Sequence, residues 1–316
     1  MTSKIAFLFP GQGSQSVGML NSFESDSATA NLYQHLADVA SKALGDDIVG
    51  LIKNGPAEQL NLTTNTQPAM LLGDVLVFEA WKQLGGHAPA MVAGHSLGEY
   101  AALVAAGVLS IEQALPLVRI RAQAMQDAVP VGQGGMAAVL GLSDEAVIQV
   151  CASASEGASV VEAVNFNAPS QVVIAGSASA VKKACELAKQ AGAKRALELP
   201  VSAPFHSSLM KPASIRLSKA LSGLNLGAPN CPVINNVDVS IETDPLQIVD
   251  ALVRQAYRPV RWVETIQKMT AEGATLFVEC GPGKVLSGLV KRISDVPVVS
   301  MSDPDSVRAA LQAVSA

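Results

Sequence analysis

Ser96 stands between two glycines in the stretch Gly94-His95-Ser96-Leu97-Gly98. A serine hydroxyl becomes a useful nucleophile only when a base takes its proton. The pattern G-x-S-x-G means little by itself in a chain rich in glycine and serine, so its surroundings decide. A short apolar run, Pro89–Ala93, precedes it, and a helical stretch of small residues, Leu97–Ala106, follows it. Strand, tight turn and helix form the setting of a nucleophile elbow, which holds Oγ out at the end of a strand. The flanking glycines allow the sharp backbone and close packing that such a turn demands. Leu97 N–H, at the helix N-terminus, then faces a developing oxyanion. The plainer alternative is a Gly-Ser turn that merely caps a helix, and the agreement of strand, turn and helix argues against it.

The base must come from four histidines. His35 lies on a polar helical stretch and His87 in a Gly-Gly loop, so both read as surface. His95 adjoins Ser96; neighbouring side chains on a sharp turn diverge, so it reads as lining the site. His206 remains, in the segment SAPFHSSLMKP. It falls just past a strand, in a loop punctuated by Pro204, where the catalytic groups of α/β sheets collect. Elimination makes His206 the candidate base. Asp127, Asp144 and Glu145 lie between serine and histidine, but none stands at a strand end to complete a triad. A backbone carbonyl can fix the tautomer of a neutral histidine in place of a carboxylate.

The elements that position these residues follow from apolar patterning. Lys4–Phe9 is a buried strand stopped by Pro10-Gly11. Helical periodicity runs from about Asn31 to Leu84. Ser110 and Gln113 form a capping box for a helix to about Asp127, with a kink expected at Pro116. The middle third alternates differently: strand Met136–Leu142, a Ser143-capped helix to about Ala154, strands Val160–Phe166 and Gln171–Ala175, helix Ala180–Gln190, strand Arg195–Leu199. This β-α-β-β-α-β order is the ferredoxin-like pattern. It predicts a small domain, residues 129–198, inserted in a larger one, residues 1–128 plus 199–316. Asn230–Asn236, Thr275–Cys280 and Val296–Ser300 read as further strands, and a short helix closes the chain.

Composition narrows the function. The chain has 316 residues, 49% hydrophobic, with a formal charge of −5, which argues against nucleic-acid binding. No apolar run is long enough to span a membrane, and the Ile5–Phe9 run is too short for a signal peptide. Four scattered cysteines without a C-x-x-C pair suggest neither metal site nor disulfide framework, and fit a cytoplasmic setting. The segment GQGSQ after the first strand lacks the third glycine of a dinucleotide motif, because that position is Ser16.

Three motifs taken together, PGQGSQ (Pro10–Gln15), GHSLGEY (Gly94–Tyr100) and APFHSSLM (Ala203–Met210), closely resemble those of the malonyl-CoA:acyl-carrier-protein transacylases of bacterial fatty-acid synthesis. RIRAQAMQ, NFNAPSQVVIAG and GPGKVLSG also fit, so the resemblance covers essentially the whole chain. It implies an α/β-hydrolase-like large domain carrying a ferredoxin-like insert. It also implies a Ser-His pair, Ser96 and His206, with His206 oriented by the backbone carbonyl of Gln255. The oxyanion hole would be the N–H groups of Gln12 and Leu97.

The resemblance assigns Arg121 to the malonyl carboxylate. Helix geometry alone does not choose, since Arg119 and Arg121 both sit roughly 80° from the apolar stripe. A planar, permanently charged guanidinium suits a carboxylate, and Arg119 reads as a solvated flank. Phe205 beside His206 resembles the malonyl-selecting form of related polyketide acyltransferase domains, where a bulky ring crowds branched acyl groups. The expected substrates are malonyl-CoA and the phosphopantetheine thiol of an acyl carrier protein, with no separate cofactor. A polyketide or polyunsaturated-lipid synthase acyltransferase and a serine thioesterase are the alternatives. An acidic carrier requires a basic patch on this acidic chain. Lys291 and Arg292, after the GPGKVLSG loop, are preferred for it over Lys182, Lys183, Lys189, Lys194 and Arg195.

Overall fold

The computed structural model describes residues 4–201 and 203–315; residues 1–3, 202 and 316, all in the expected large unit, lie outside it. The strands in chain order are β1 (Ile5–Phe9), β2 (Met91–Gly94), β3 (Gly134–Leu140), β4 (Val161–Ala168), β5 (Gln171–Ser177), β6 (Arg195–Glu198), β7 (Val233–Ile234), β8 (Leu276–Cys280) and β9 (Val298–Met301). They form two sheets. One is parallel, with order β7-β2-β1-β8-β9. The other is antiparallel, with order β4-β5-β3-β6.

The run IAFLF of β1 is apolar throughout because it lies mid-sheet with both faces covered. Ile5, Phe7 and Phe9 join the core with Phe78 and Trp81, while Ala6 and Leu8 join the one around Trp262 and Phe277. Phe7 meets Phe78 and Trp81 edge-on at centroid distances of 5.8 and 5.4 Å, a favoured aromatic geometry. The register pairs Phe9 with Gly94, so β1 and β2 end together. After β7 the chain crosses to the far side of β1 to form β8. The crevice outside the carboxyl ends of such a sheet is where α/β folds place their sites.

The long helical pattern is broken into Ala30–Leu44, Ile48–Asn54, Ala57–Leu60 and Thr63–Gln83. Gly45, left-handed at φ 71°, ends the first, and the Asp47 side chain caps the second by accepting from Gly50 N. Helix Ile111–Asp127 carries the expected capping box at Ser110 and Gln113, with Pro116 inside it. The strand expected over 230–236 shrinks to two residues, because only Val233 and Ile234 pair with β2. Asn235 and Asn236 then turn away, and Asn235 N donates to Ser240 O.

In the antiparallel sheet, helices Asp144–Ala154 and Ala178–Gln190 cover one face through Val139, Val147, Val172, Ile174 and Val181. The opposite face carries Met136, Val164, Val173 and Ala175, against Leu199, Val201 and Phe205. Strand β4 is stitched to the rest of the chain by Phe166 N→Val260 O (3.0 Å) and Val260 N→Val164 O (2.8 Å). Among the described residues no helix is long and apolar enough to cross a membrane. The four cysteines are free; three are buried and Cys231 is half-buried.

Candidate active site

The turn after β2 is built by close packing. A Cβ on Gly94 would come within 1.9 Å of the Gly98 backbone, and one on Gly98 within 2.0 Å of Phe9 O. Only hydrogen fits at either position. Between them Ser96 takes φ 53°, a left-handed conformation costly for serine. Asn236 holds it there: its Oδ1 accepts from Ser96 N and its Nδ2 donates to Gly94 O, both at 2.7 Å. Leu97 then begins helix Gly98–Ala105 as its N-cap.

His206 also has a positive φ, 64°, and is 3% exposed. Its Nε2 lies 2.6 Å from Ser96 Oγ and its Nδ1 lies 2.8 Å from Gln255 O. A carbonyl can only accept, so Nδ1 carries the proton. Burial, reinforced by the Arg121 charge, pushes the His206 pKa down to about 3. The ring is therefore neutral, and Nε2 is bare and ready for the serine proton. Gln255 closes helix Pro245–Gln255 and is fully buried.

Arg121 projects from helix Ile111–Asp127 and is 2% exposed. Nη1 donates to Gln67 Oε1 (2.7 Å); Nη2 donates to Gln255 Oε1 (3.0 Å) and Ser96 Oγ (3.2 Å). The Tyr100 ring lies 5.4 Å from the guanidinium carbon, within cation–π range. Arg119 points elsewhere and pairs with Asp46 at 2.7 Å. Burial raises the Glu99 carboxyl to about 7, against the opposing pull of hydrogen bonds from Gln255 and Asn236 and of the Arg121 charge.

Ser96, His206 and Arg121 border a cavity of about 210 Å³. Gln12, His95, Ser96, Leu97, Arg121, Phe205 and His206 all line it. His95 is half-buried, edge-on against Trp262 at 5.3 Å, and its Nε2 meets Asn167 Oδ1 at 2.7 Å. The antiparallel sheet supplies an apolar wall through Met136 and Val173. Helix Val285–Val290 supplies another through Val285, Leu286 and Leu289. Buried Glu279 at the end of β8 anchors that helix by accepting from Leu286 N (2.8 Å) and Ser287 N (2.7 Å). Among the described residues no cluster of three or more His, Cys, Asp or Glu side chains is arranged to hold a metal ion.

Lys291 and Arg292 do not line the cavity. Both are exposed, and both border a separate shallow cleft. Arg292 binds Gln171 Oε1 and Pro169 O at the β4–β5 turn, tying the antiparallel sheet to the segment after helix Val285–Val290. Lys182, Lys183, Lys189, Lys194 and Arg195, on helix Ala178–Gln190 and around β6, are exposed. Sequence reasoning missed Gln67, Asn236 and the part played by Glu99. Their partners lie 54 to 156 residues away in the chain, and only buried polarity inside apolar segments hinted at them.

The fold falls in a known class: residues 6–301 match the family described as the acyl transferase domain. The malonyl CoA-acyl carrier protein transacylase of Escherichia coli K12 is 50% identical over 311 residues, covering 98% of this chain and 99% of that protein. A crystal structure of acyl-carrier-protein S-malonyltransferase from Burkholderia pseudomallei 1710b is 61% identical. It superposes with a TM-score of 0.94 over 98% of this chain and 99% of its own. A malonyl-transacylase solved in complex with its type II PKS acyl-carrier protein is 46% identical, with a TM-score of 0.95 over 98% of this chain and 100% of its own. The chain belongs to the acyl transferase family, in its branch of malonyl CoA-acyl carrier protein transacylases.

Proposed function

We propose that this chain moves the malonyl group from malonyl-CoA to the phosphopantetheine thiol of an acyl carrier protein, with Ser96 as its temporary holder, in fatty-acid synthesis. The observation that carries the assignment of roles is the 2.6 Å contact between Ser96 Oγ and a neutral His206, with Arg121 on the same oxygen. His206 Nε2 takes the serine proton as Oγ attacks the thioester carbon. The oxyanion rests on the N–H groups of Gln12 and Leu97. The intermediate collapses, the C–S bond breaks, and His206 returns the proton to the departing CoA sulfur. The carrier thiol gives its proton to His206 and attacks the malonyl-serine ester, and Ser96 leaves with that proton.

Gln255 O stabilises the imidazolium that forms twice in this cycle, doing the work of a triad carboxylate. Arg121 holds the far carboxylate, and so orients the acyl group for attack. Phe205 and His95 shape the acyl pocket, with Phe205 crowding branched acyl groups. CoA and phosphopantetheine thioesters are substrates, and the scheme uses no further cofactor. The large unit, 1–128 with 199–316, is α/β-hydrolase-like and catalytic; the insert, 129–198, is ferredoxin-like and roofs the site. A cytoplasmic location fits four free cysteines. Lys291 serves carrier docking, with Arg292 beside it.

Intact-mass spectrometry of enzyme mixed with malonyl-CoA tests the scheme. Native chain gains one malonyl group, and Ser96→Ala gains none. Adding holo carrier removes the group to the carrier thiol; loss to water at the same rate without carrier would make the protein a thioesterase.

A further inference from the structure

Arg121 is a buried cation whose hydrogen bonds, among the described residues, go to neutral acceptors, the side-chain oxygens of Gln67, Gln255 and Ser96, with the Tyr100 ring beside it. A guanidinium already paired with a carboxylate has little left for a substrate's carboxylate. One cradled by amide oxygens keeps its charge available. That cradle exists only while both amides turn oxygen toward the arginine. A carboxamide presents oxygen on one side and NH2 on the other, so its orientation is set by the partners of its nitrogen.

For Gln255 those partners are two. Its Nε2 donates to Ser96 O at 2.8 Å and to Glu99 Oε2 at 2.9 Å. The same Glu99 oxygen accepts from Asn236 N at 2.9 Å, and Asn236 in turn holds the Ser96 turn. Glu99 is 2% exposed, sits one residue into helix Gly98–Ala105, and is not among the residues lining the cavity. The transfer scheme gives it no task. The charged groups in its field are Arg121, across the Gln255 amide, and Asp238.

We propose that Glu99 is a positioning residue that tunes the site to an acyl group bearing a carboxylate: it fixes the Gln255 amide with oxygen toward Arg121, and so keeps the guanidinium aimed and unneutralised. This rests on Arg121 gripping the malonyl carboxylate. Removing the acceptor at position 99 leaves Ser96 O to hold the amide nitrogen alone, so the amide is held less firmly, and a flip would set NH2 against the guanidinium. The backbone carbonyl of Gln255, and with it His206, stays in place.

The test measures kcat/KM for malonyl-CoA and acetyl-CoA, with holo carrier, in the full chain carrying Glu99→Met, Glu99→Gln, Gln255→Leu or Arg121→Ala. Glu99→Met, similar in volume but without an acceptor, is expected to lower malonyl transfer about tenfold and acetyl transfer less than about threefold. Glu99→Gln still offers an oxygen and stays within about threefold of native for both. The double variant Glu99→Met/Gln255→Leu is no worse than Gln255→Leu alone, because both act through one amide. Equal losses for malonyl and acetyl, or losses that multiply in the double variant, overturn the proposal. If Glu99→Met does not fold, the other two decide: unselective loss in Gln255→Leu, or selective loss in Glu99→Gln, overturns it equally. Arg121→Ala separates the premises. If it loses both substrates alike, the carboxylate grip itself fails and the inference with it. If it is selective while Glu99→Met is not, only the inference fails.

Discussion

At the scale of single residues, the site works by placing unlike groups around one oxygen. Ser96 Oγ meets a neutral imidazole on one side and a guanidinium on the other. The two cannot both be cationic cheaply in a buried site, and the Arg121 charge helps keep His206 neutral. Charge on the acyl group therefore belongs to Arg121 and proton transfer to His206. Arg121→Ala is expected to reduce malonyl transfer by about 1.5–3 kcal/mol in transition-state terms, roughly 10- to 150-fold. Acetyl transfer should fall much less, since an acetyl group offers no carboxylate; parallel steady-state kinetics with the two thioesters reads the difference. Equal losses would make Arg121 a structural cation.

At the scale of elements, the strand β2, its turn and helix Gly98–Ala105 act as one part. Ser96 is held at φ 53° by Asn236 and by packing that leaves no room for side chains at positions 94 and 98. A methyl group at Gly98 would lie 2.0 Å from Phe9 O, so strand β1 or the helix must shift to admit it. Gly98→Ala should cost about 1–3 kcal/mol of stability. It should lower malonyl-enzyme formation further than that loss explains, because the shift moves Oγ off His206 Nε2. Thermal melting and the single-turnover acylation rate, measured on the same preparation, check this. Native-like acylation in the folded variant would show that the turn tolerates the displacement.

At the scale of the whole molecule, the cavity is lined both by residues of the antiparallel sheet, such as Met136 and Val173, and by the turn after β2 of the parallel sheet. Of the two candidate docking residues, Arg292 binds Gln171 Oε1 and Pro169 O at the β4–β5 turn. Lys291 makes no such link among the described residues and is exposed. Charge reversal therefore separates the neighbours. Lys291→Glu should raise KM for holo carrier several-fold and leave KM for malonyl-CoA within about twofold. Arg292→Glu should raise both, because it frees the β4–β5 turn of the antiparallel sheet, whose residues line the cavity. Unchanged carrier kinetics in Lys291→Glu would move docking to Lys194 and Arg195 on the insert.

The sequence by itself determined what is local. The strand–turn–helix around Ser96, the Ser110 capping box and the β-α-β-β-α-β run of the insert are written in neighbouring residues. Glycine, capping side chains and apolar period act over a few positions. His206 emerged by elimination among four histidines, and Gln12, Arg121 and Gln255 only through resemblance to a family. Only the tertiary structure decided what is held across the chain. It joined Asn236 to the Ser96 turn, placed Gln67 and Gln255 around Arg121, set Glu99 behind the Gln255 amide, and brought Arg292 to Gln171. It also cut the 230–236 strand to two residues so that Asn236 could leave the sheet. The physical reason is shared: a buried polar group is satisfied by whichever partner folding brings within about 3 Å, and nothing in residue type or spacing names a partner a hundred positions away.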